Sequence, residues 1–103
     1  MATPESLVKR HVKALLDKYE AFHTWPVPSG YGESLLDCVG HSKGRYFEIE
    51  TKAPGQHPTP RQQYRIDRIV AAGGKIFVIG ESVENDPDTW SGMLELELWL
   101  KQS

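Results

Sequence analysis

The sequence predicts an α/β domain: a short mixed β-sheet flanked by helices, in the order α-β-β-α-β with one further C-terminal element. Three observations carry this reading. The opening segment spaces its apolar residues by three and four, two short strand-like runs flank a glycine-bounded turn, and a proline-started, glycine-ended helical segment leads straight into the apolar run KIFVIG at 75–80.

From about Thr3 to Glu20, Leu7, Val8, Val12, Leu15, Leu16 and Tyr19 fall on one helical face with charges between them. Thr3 before Pro4 has the form of an N-cap followed by proline at the first helical position, and Glu5 sits where the helix dipole favours an acid. His23 to Gly32, with Pro26, Pro28, Gly30 and Gly32, reads as an irregular connection. Ser34 to Val39 and Arg45 to Lys52 then read as an antiparallel hairpin around Gly40-His41-Ser42-Lys43-Gly44. Alternation in the second strand puts Tyr46, Glu48, Glu50 and Lys52 on one face and Phe47, Ile49 and Thr51 on the other. Thr59-Pro60 repeats the cap-and-proline pattern and starts a helix carrying Tyr64, Ile66, Ile69 and Val70, which ends at Gly73-Gly74. Lys75 to Gly80 completes a strand-helix-strand unit and is expected to lie parallel to a hairpin strand. Glu81 to Asp88 is acidic and turn-prone. Thr89 to Leu100 reads as a helix capped by Asp88, although Leu94 to Leu98 also alternates as a strand would.

The 103 residues amount to one domain, 1–103, with a core but little room for a deep private cavity, which keeps dimerisation in view. Cys38 is the single cysteine, which excludes an internal disulfide framework and a multi-cysteine zinc site. With no apolar leader segment, this predicts a cytoplasmic protein. No apolar run approaches the ~18 to 20 residues of a membrane span, so no membrane partner is expected. The net charge of −2 hides an uneven distribution. His41 to Lys75 holds seven Lys or Arg against three acids, and Glu81 to Leu100 holds six acids and no Lys or Arg. Such a basic block is read either as a phosphate-binding face or as a solvated helix surface.

The chemistry concentrates between Gly32 and Gly80. The hairpin pairing can bring Asp37 beside Glu50, which shares a face with Lys52. Carboxylates held together resist joint ionisation unless a cation neutralises them, and hard oxygen ligands suit Mg²⁺ or Mn²⁺. Lys52 would then orient or help deprotonate a water attacking a phosphodiester. The competing reading is a solvated strand face carrying cross-strand ion pairs. His11, His23, His41 and His57 show no pairwise metal spacing, and each reads as a lone surface histidine, with His57 near enough to the second helix to touch phosphate. Cys38 points to the face opposite Asp37 and reads as core. Ser29-Gly30-Tyr31-Gly32 lacks a following helix and a G-K-[ST] element, so no nucleotide-binding loop and no organic cofactor are expected. Arg61, Arg65 and Arg68, with Lys43, Arg45 and Lys75, are candidates to track a nucleic-acid backbone. Trp25 and Tyr31 read either as base-stacking residues or as packing over the sheet.

The runs G-E-S-L-L-D-C-V-G, R-Y-F-E-I-E-T-K-A-P-G, P-T-P-R-Q-Q-Y and A-A-G-G-K-I-F-V-I, in that order, closely resemble the VRR-NUC family, the virus-type replication-repair nucleases of the PD-(D/E)xK superfamily. The match covers roughly Glu5 to Ser82, making about 5–82 the core and 83–103 a C-terminal extension and candidate dimerisation element. The resemblance implies a restriction-endonuclease-like core. It implies Asp37 and Glu50 as metal ligands, Lys52 as the catalytic lysine and the Thr51 backbone carbonyl as a further ligand. The family's helix-start glutamine matches Gln62, with Gln63 the alternative, and its first-helix glutamate matches Glu5, supporting the metal site. Where members commonly read G-x-P-D, Ser34, Leu35 and Leu36 precede Asp37, so Glu33 is the rival acid if the register slips. Glu48 lies one pair before the motif and reads as an ion-pairing residue supporting the site.

The expected activity is therefore Mg²⁺- or Mn²⁺-dependent DNA hydrolysis, with Lys43, Arg45, Arg61, Arg65 and His57 as candidate DNA contacts. The resemblance implies a phage-type minimal domain, acting in the host-cell cytoplasm in DNA repair or recombination, that cuts branched DNA such as four-way (Holliday) junctions as a homodimer. Two alternatives remain: a flap, nicking or single-strand nuclease, and a non-catalytic DNA-binding module on the same fold. A third, a small scaffold or inhibitor protein binding through the acidic tail, predicts no metal binding.

Overall fold

The computed structural model describes residues 4–27, 35–53, 55–80 and 91–102. Element order is α1 (Pro4–Lys18), β1 (Phe22–Thr24), β2 (Cys38–Ser42), β3 (Arg45–Thr51), α2 (Pro60–Ala71), β4 (Lys75–Ile79) and α3 (Met93–Lys101). The strands form one mixed sheet in the order β1-β2-β3-β4, antiparallel except for the parallel β3/β4 pair. The expected strand-helix-strand unit is therefore β3-α2-β4. Among the described residues no helix is long and apolar enough to cross a membrane.

Each face of β3 is covered by different chemistry. Phe47 and Ile49 point into the apolar core, where Val8, Val12 and Leu16 of α1, Phe77 and Ile79 of β4, and Leu96 and Leu100 of α3 surround them. Glu48 and Glu50 point the other way, towards side chains of α2. That face is buried as well, which corrects the picture of a solvated outer surface: Glu48 is 0% and Glu50 2% exposed.

Four boundaries differ from the sequence-based expectation, each for a tertiary reason. β1 lies where an irregular connection was expected; three residues are too short to show a period, and β1 owes its conformation to pairing with β2 through Phe22↔His41 and Thr24↔Val39. β2 starts at Cys38 rather than Ser34, so Asp37 sits one residue before the strand. The hairpin turn is two residues, Lys43-Gly44, both with positive φ (53° and 78°), as a tight hairpin requires, and Gly40 to Ser42 belong to the strand. Gly40 is central there because a Cβ would collide with the Phe22 carbonyl and the Phe47 ring. The last helix begins at Met93 with Gly92 as its N-cap rather than at Thr89 with Asp88; Thr3, Pro28 to Ser34, Pro54 and 81–90, including Glu33, Asp88 and Trp90, lie outside the described residues.

α3 is also core rather than extension. Leu96, Trp99 and Leu100 share the face that a three-four spacing produces, which settles the Leu94 to Leu98 ambiguity in favour of helix. Trp99 packs edge-on against both Phe47 and Phe77 at centroid distances of 5.6 and 5.5 Å. Lys43 Nζ donates to the carbonyls of Leu100, Lys101 and Gln102, and Arg45 to those of Trp99 and Gln102, satisfying the open C-terminal end of the helix. Among the described residues of this C-terminal segment, Leu94 and Leu98 keep the outward exposure expected of an association surface.

Truncating Leu96→Ala should lower folding stability by about 2 to 5 kcal/mol, as for other fully buried leucines. Urea denaturation of the full chain reads this directly, and a loss under about 0.5 kcal/mol, the surface-substitution range, would show α3 to be an appendage.

Candidate functional site

The site forms where β3 ends and α2 begins. The β2/β3 register pairs Cys38 with Ile49, and one step further along the same register sets Asp37 opposite Glu50. The Asp37 N–H donates to Glu50 Oε1 at 3.3 Å. Asp37 Oδ2 accepts from the Thr51 N–H at 3.0 Å and from the Thr51 hydroxyl at 2.7 Å. Thr51 thus fixes the rotamer of Asp37 with two bonds to one oxygen.

Gln62 links the site to the helix. Thr59 caps α2 by accepting from the Gln62 N–H, and Gln62 Oε1 accepts in return from the Thr59 N–H at 2.9 Å, a complete capping box with Pro60 at the first helical position. The same Oε1 accepts from Lys52 Nζ at 2.8 Å, while Nε2 donates to Glu50 Oε2 at 2.9 Å. This donor and acceptor pattern admits one orientation of the amide. Lys52 Nζ also lies 3.1 Å from Glu50 Oε2 with its side chain only 13% exposed. Gln63 instead turns outward and donates to Asp67, so Gln62 is the glutamine at the site.

Burial, and then the neighbouring Asp37 carboxylate, push the Glu50 pKa above its ordinary value of 4.5, against the hydrogen bond and charge of Lys52 and the Asp37 N–H. Behind the site, Glu48 is held by Arg65 through two parallel bonds of 2.9 and 2.8 Å and by the Tyr46 hydroxyl. Burial and the Glu48 carboxylate push the Tyr46 phenol up to about 12. Glu48 is therefore an ion-pairing residue, its partner being Arg65 of α2.

The residues suit a hard divalent cation. The donors are oxygens, and two carboxylates close enough to raise one pKa are in the state a cation relieves. Asp37 and Glu50 would be its carboxylate ligands, with buried Thr51 beside them. Glu5 stands apart, linked to Asp37 only through Lys9, whose Nζ is 4.0 Å from Glu5 Oε1 and 3.9 Å from Asp37 Oδ1. Accordingly, no three His, Cys, Asp or Glu side chains among the described residues converge into a metal-holding group. Sequence reasoning passed over Lys9, although the signal was present: it lies four residues after Glu5 on the same helical face.

The basic block disperses in three dimensions. Lys43 and Arg45 are engaged at the end of α3, Arg65 is engaged with Glu48, and Lys75 pairs with Glu95 at 3.1 Å. Arg61, the residue before Gln62 in the first turn of α2, and His57, in the preceding loop, are exposed. Arg68 lies against the exposed Tyr64 ring. Trp25 packs against the core and donates to His23 Nδ1 at 2.9 Å, so His23 carries its proton on Nε2, 2.8 Å from Asp17. Tyr31 lies outside the described residues. Cys38 is a core residue, its thiol pushed up to about 12 chiefly by burial.

No family model matches the chain, and no curated protein matches it. Among solved structures it is similar to one described as a VRR_NUC domain, at 23% identity, TM-score 0.67, covering 80% of this chain and 88% of that one. At that identity the likeness shows the fold alone: the α/β architecture inferred from sequence is shared with that VRR_NUC domain.

Two outcomes follow from this geometry. Arg65→Ala should cost about 3 to 5 kcal/mol of stability in denaturant titration, because it strands Glu48 in the interior. For Glu50, whose folded-state pKa is raised, the native state holds the proton more tightly, so its stabilising contribution is present below pH 4.5 and is lost as pH rises through the folded pKa. In EDTA, wild type should therefore lose stability relative to Glu50→Gln as pH rises above 4.5. A relative gain over that rise would overturn the assignment.

Proposed function

We propose that this protein hydrolyses DNA phosphodiester bonds with Mg²⁺ or Mn²⁺. The observation carrying the proposal is the convergence of Asp37, Glu50, Lys52 and Gln62: the Gln62 amide joins the Lys52 ammonium to the Glu50 carboxylate, which also accepts from the Asp37 N–H. The likeness to a VRR_NUC domain supports the same reading.

A divalent cation held by Asp37, Glu50 and the Thr51 carbonyl would supply Lewis-acid stabilisation of phosphate charge and lower the pKa of the attacking water. The chain's own residues do the positioning. Thr51 holds Asp37 in one rotamer through Oδ2, leaving Oδ1 on the side of Lys9, 3.9 Å away. Gln62, locked by the cap of α2, holds the Lys52 ammonium beside Glu50. An ammonium in that place donates hydrogen bonds, so Lys52 orients the attacking water and stabilises negative charge on the phosphoryl oxygens. Arg61 and His57, both exposed, would contact phosphates of the bound strand.

The substrate reading is branched DNA, with the four-way junction favoured. It draws on the resemblance in sequence and on symmetry: a four-way junction is two-fold symmetric, and a two-fold homodimer presents two sites to opposed strands. The exposed Leu94 and Leu98 on α3 are the apolar positions such a dimer would use.

The test is cleavage of labelled four-way junction, flap, single-stranded and linear duplex DNA with Mg²⁺ or Mn²⁺. Wild type should cut, junctions fastest, while EDTA abolishes cutting and Lys52→Ala lowers the rate by at least about 10²-fold. Cutting indifferent to both EDTA and Lys52→Ala would refute the proposal. Metal-insensitive binding without cutting would reassign the protein as a binding module.

A further inference from the structure

Lys9 is the cation at this site that the proposed mechanism does not use. Its helix is pinned by Val8 and Val12, both fully buried, which turns Glu5 and Lys9 towards the end of the sheet where Asp37 lies. Lys9 Nζ then stands between two carboxylates, 3.9 Å from Asp37 Oδ1 and 4.0 Å from Glu5 Oε1. Both distances exceed hydrogen-bond reach, so the ammonium is held to these two carboxylates by charge alone.

The contrast with Lys52 is the central point. Lys52 is 13% exposed and hydrogen-bonded to both Gln62 and Glu50. Lys9 is 36% exposed and makes neither kind of close contact with its two acids. The oxygens of Asp37 are divided in the same way: Oδ2 takes both bonds from Thr51, and Oδ1 is the one Lys9 faces. The oxygen best placed to accept a metal ion is thus the oxygen screened by the more loosely held lysine.

We propose that Lys9 is the displaceable counter-cation of the site: it screens Asp37 and Glu5 in the metal-free protein and must give way when a divalent ion binds, which sets the concentration at which Mg²⁺ or Mn²⁺ occupies the site. This rests on the metal-dependent reading above. A positive charge within about 4 Å of a ligand oxygen opposes a second cation there, and its partial exposure allows it to swing into water at little cost. Lys9 is a positioning residue by this account. It acts on the metal through charge and needs no contact with DNA.

The experiment is Mn²⁺ binding to the full chain without DNA, by electron paramagnetic resonance of the free ion or by calorimetry, for wild type, Lys9→Met, Lys9→Gln, Lys9→Arg and Asp37→Asn. Lys9→Met and Lys9→Gln should each bind Mn²⁺ about tenfold more tightly than wild type. Lys9→Arg keeps the charge and should stay within about threefold of wild type. Unfolding in EDTA checks that each variant is folded, and the exposed position makes both neutral substitutions tolerable. Neutral variants that bind no more tightly than wild type, while Asp37→Asn still weakens binding, would overturn the role of Lys9 and leave the metal site standing. A wild-type protein with no saturable Mn²⁺ binding, or binding indifferent to Asp37→Asn, would overturn the metal reading and this inference with it.

Discussion

Burying two carboxylates side by side on β3 is the constraint around which this small domain is arranged. Glu48 and Glu50 alternate with Phe47 and Ile49, so the strand that supplies the centre of the apolar core also drives two ionisable groups into the opposite interface. Neither can stay there without partners. α2 provides them, Arg65 for Glu48 and Gln62 for Glu50, and this accounts for a helix that buries only Ile66 fully yet packs against the sheet. Polar complementarity, more than apolar area, sets the register of α2 on β3.

The same arrangement ties local folding to the site. Gln62 completes the capping box that starts α2, and its two amide atoms also join Lys52 to Glu50. Helix initiation and placement of the lysine are thus one event. On the sheet side, Thr51 ends β3 and uses both its N–H and hydroxyl to hold Asp37, which lies just beyond the last β2 pair. A site assembled from a strand end, a helix cap and a register extension is rigid without needing a deep cavity, which suits a chain of 103 residues.

Compactness also redirects charge that looks like binding surface along the sequence. Lys43 and Arg45 close the carbonyl end of α3, and Arg45 additionally covers the Trp99 ring at 3.9 Å. In a domain this small, the C-terminal end of α3 lies beside the hairpin and is satisfied by the polar side chains the hairpin offers. Among the described residues of the basic block, Arg61 is exposed and directly precedes Gln62 in the chain. An encounter with DNA would then depend on local contacts at the site more than on a broad basic face.

The sequence by itself determined what short-range chemistry encodes. The amphipathic α1, the Thr59-Pro60 start and Gly73-Gly74 end of α2, the parallel β4 and the alternation of β3 follow from periodicity and from caps whose partners lie within a few residues. Asp37, Glu50 and Lys52 were picked out by hairpin pairing and strand alternation as well as by a resemblance, whereas Gln62, with Gln63 as its alternative, came from the resemblance alone. Only the tertiary structure decided the rest. β1 exists because β2 is beside it, α3 is core because Phe47 and Phe77 enclose Trp99, and Lys9 belongs to the site because α1 is turned by Val8 and Val12. Whether a charge meets solvent, a carbonyl or a carboxylate is settled by neighbours far away in sequence, and no period or spacing along the chain contains that information.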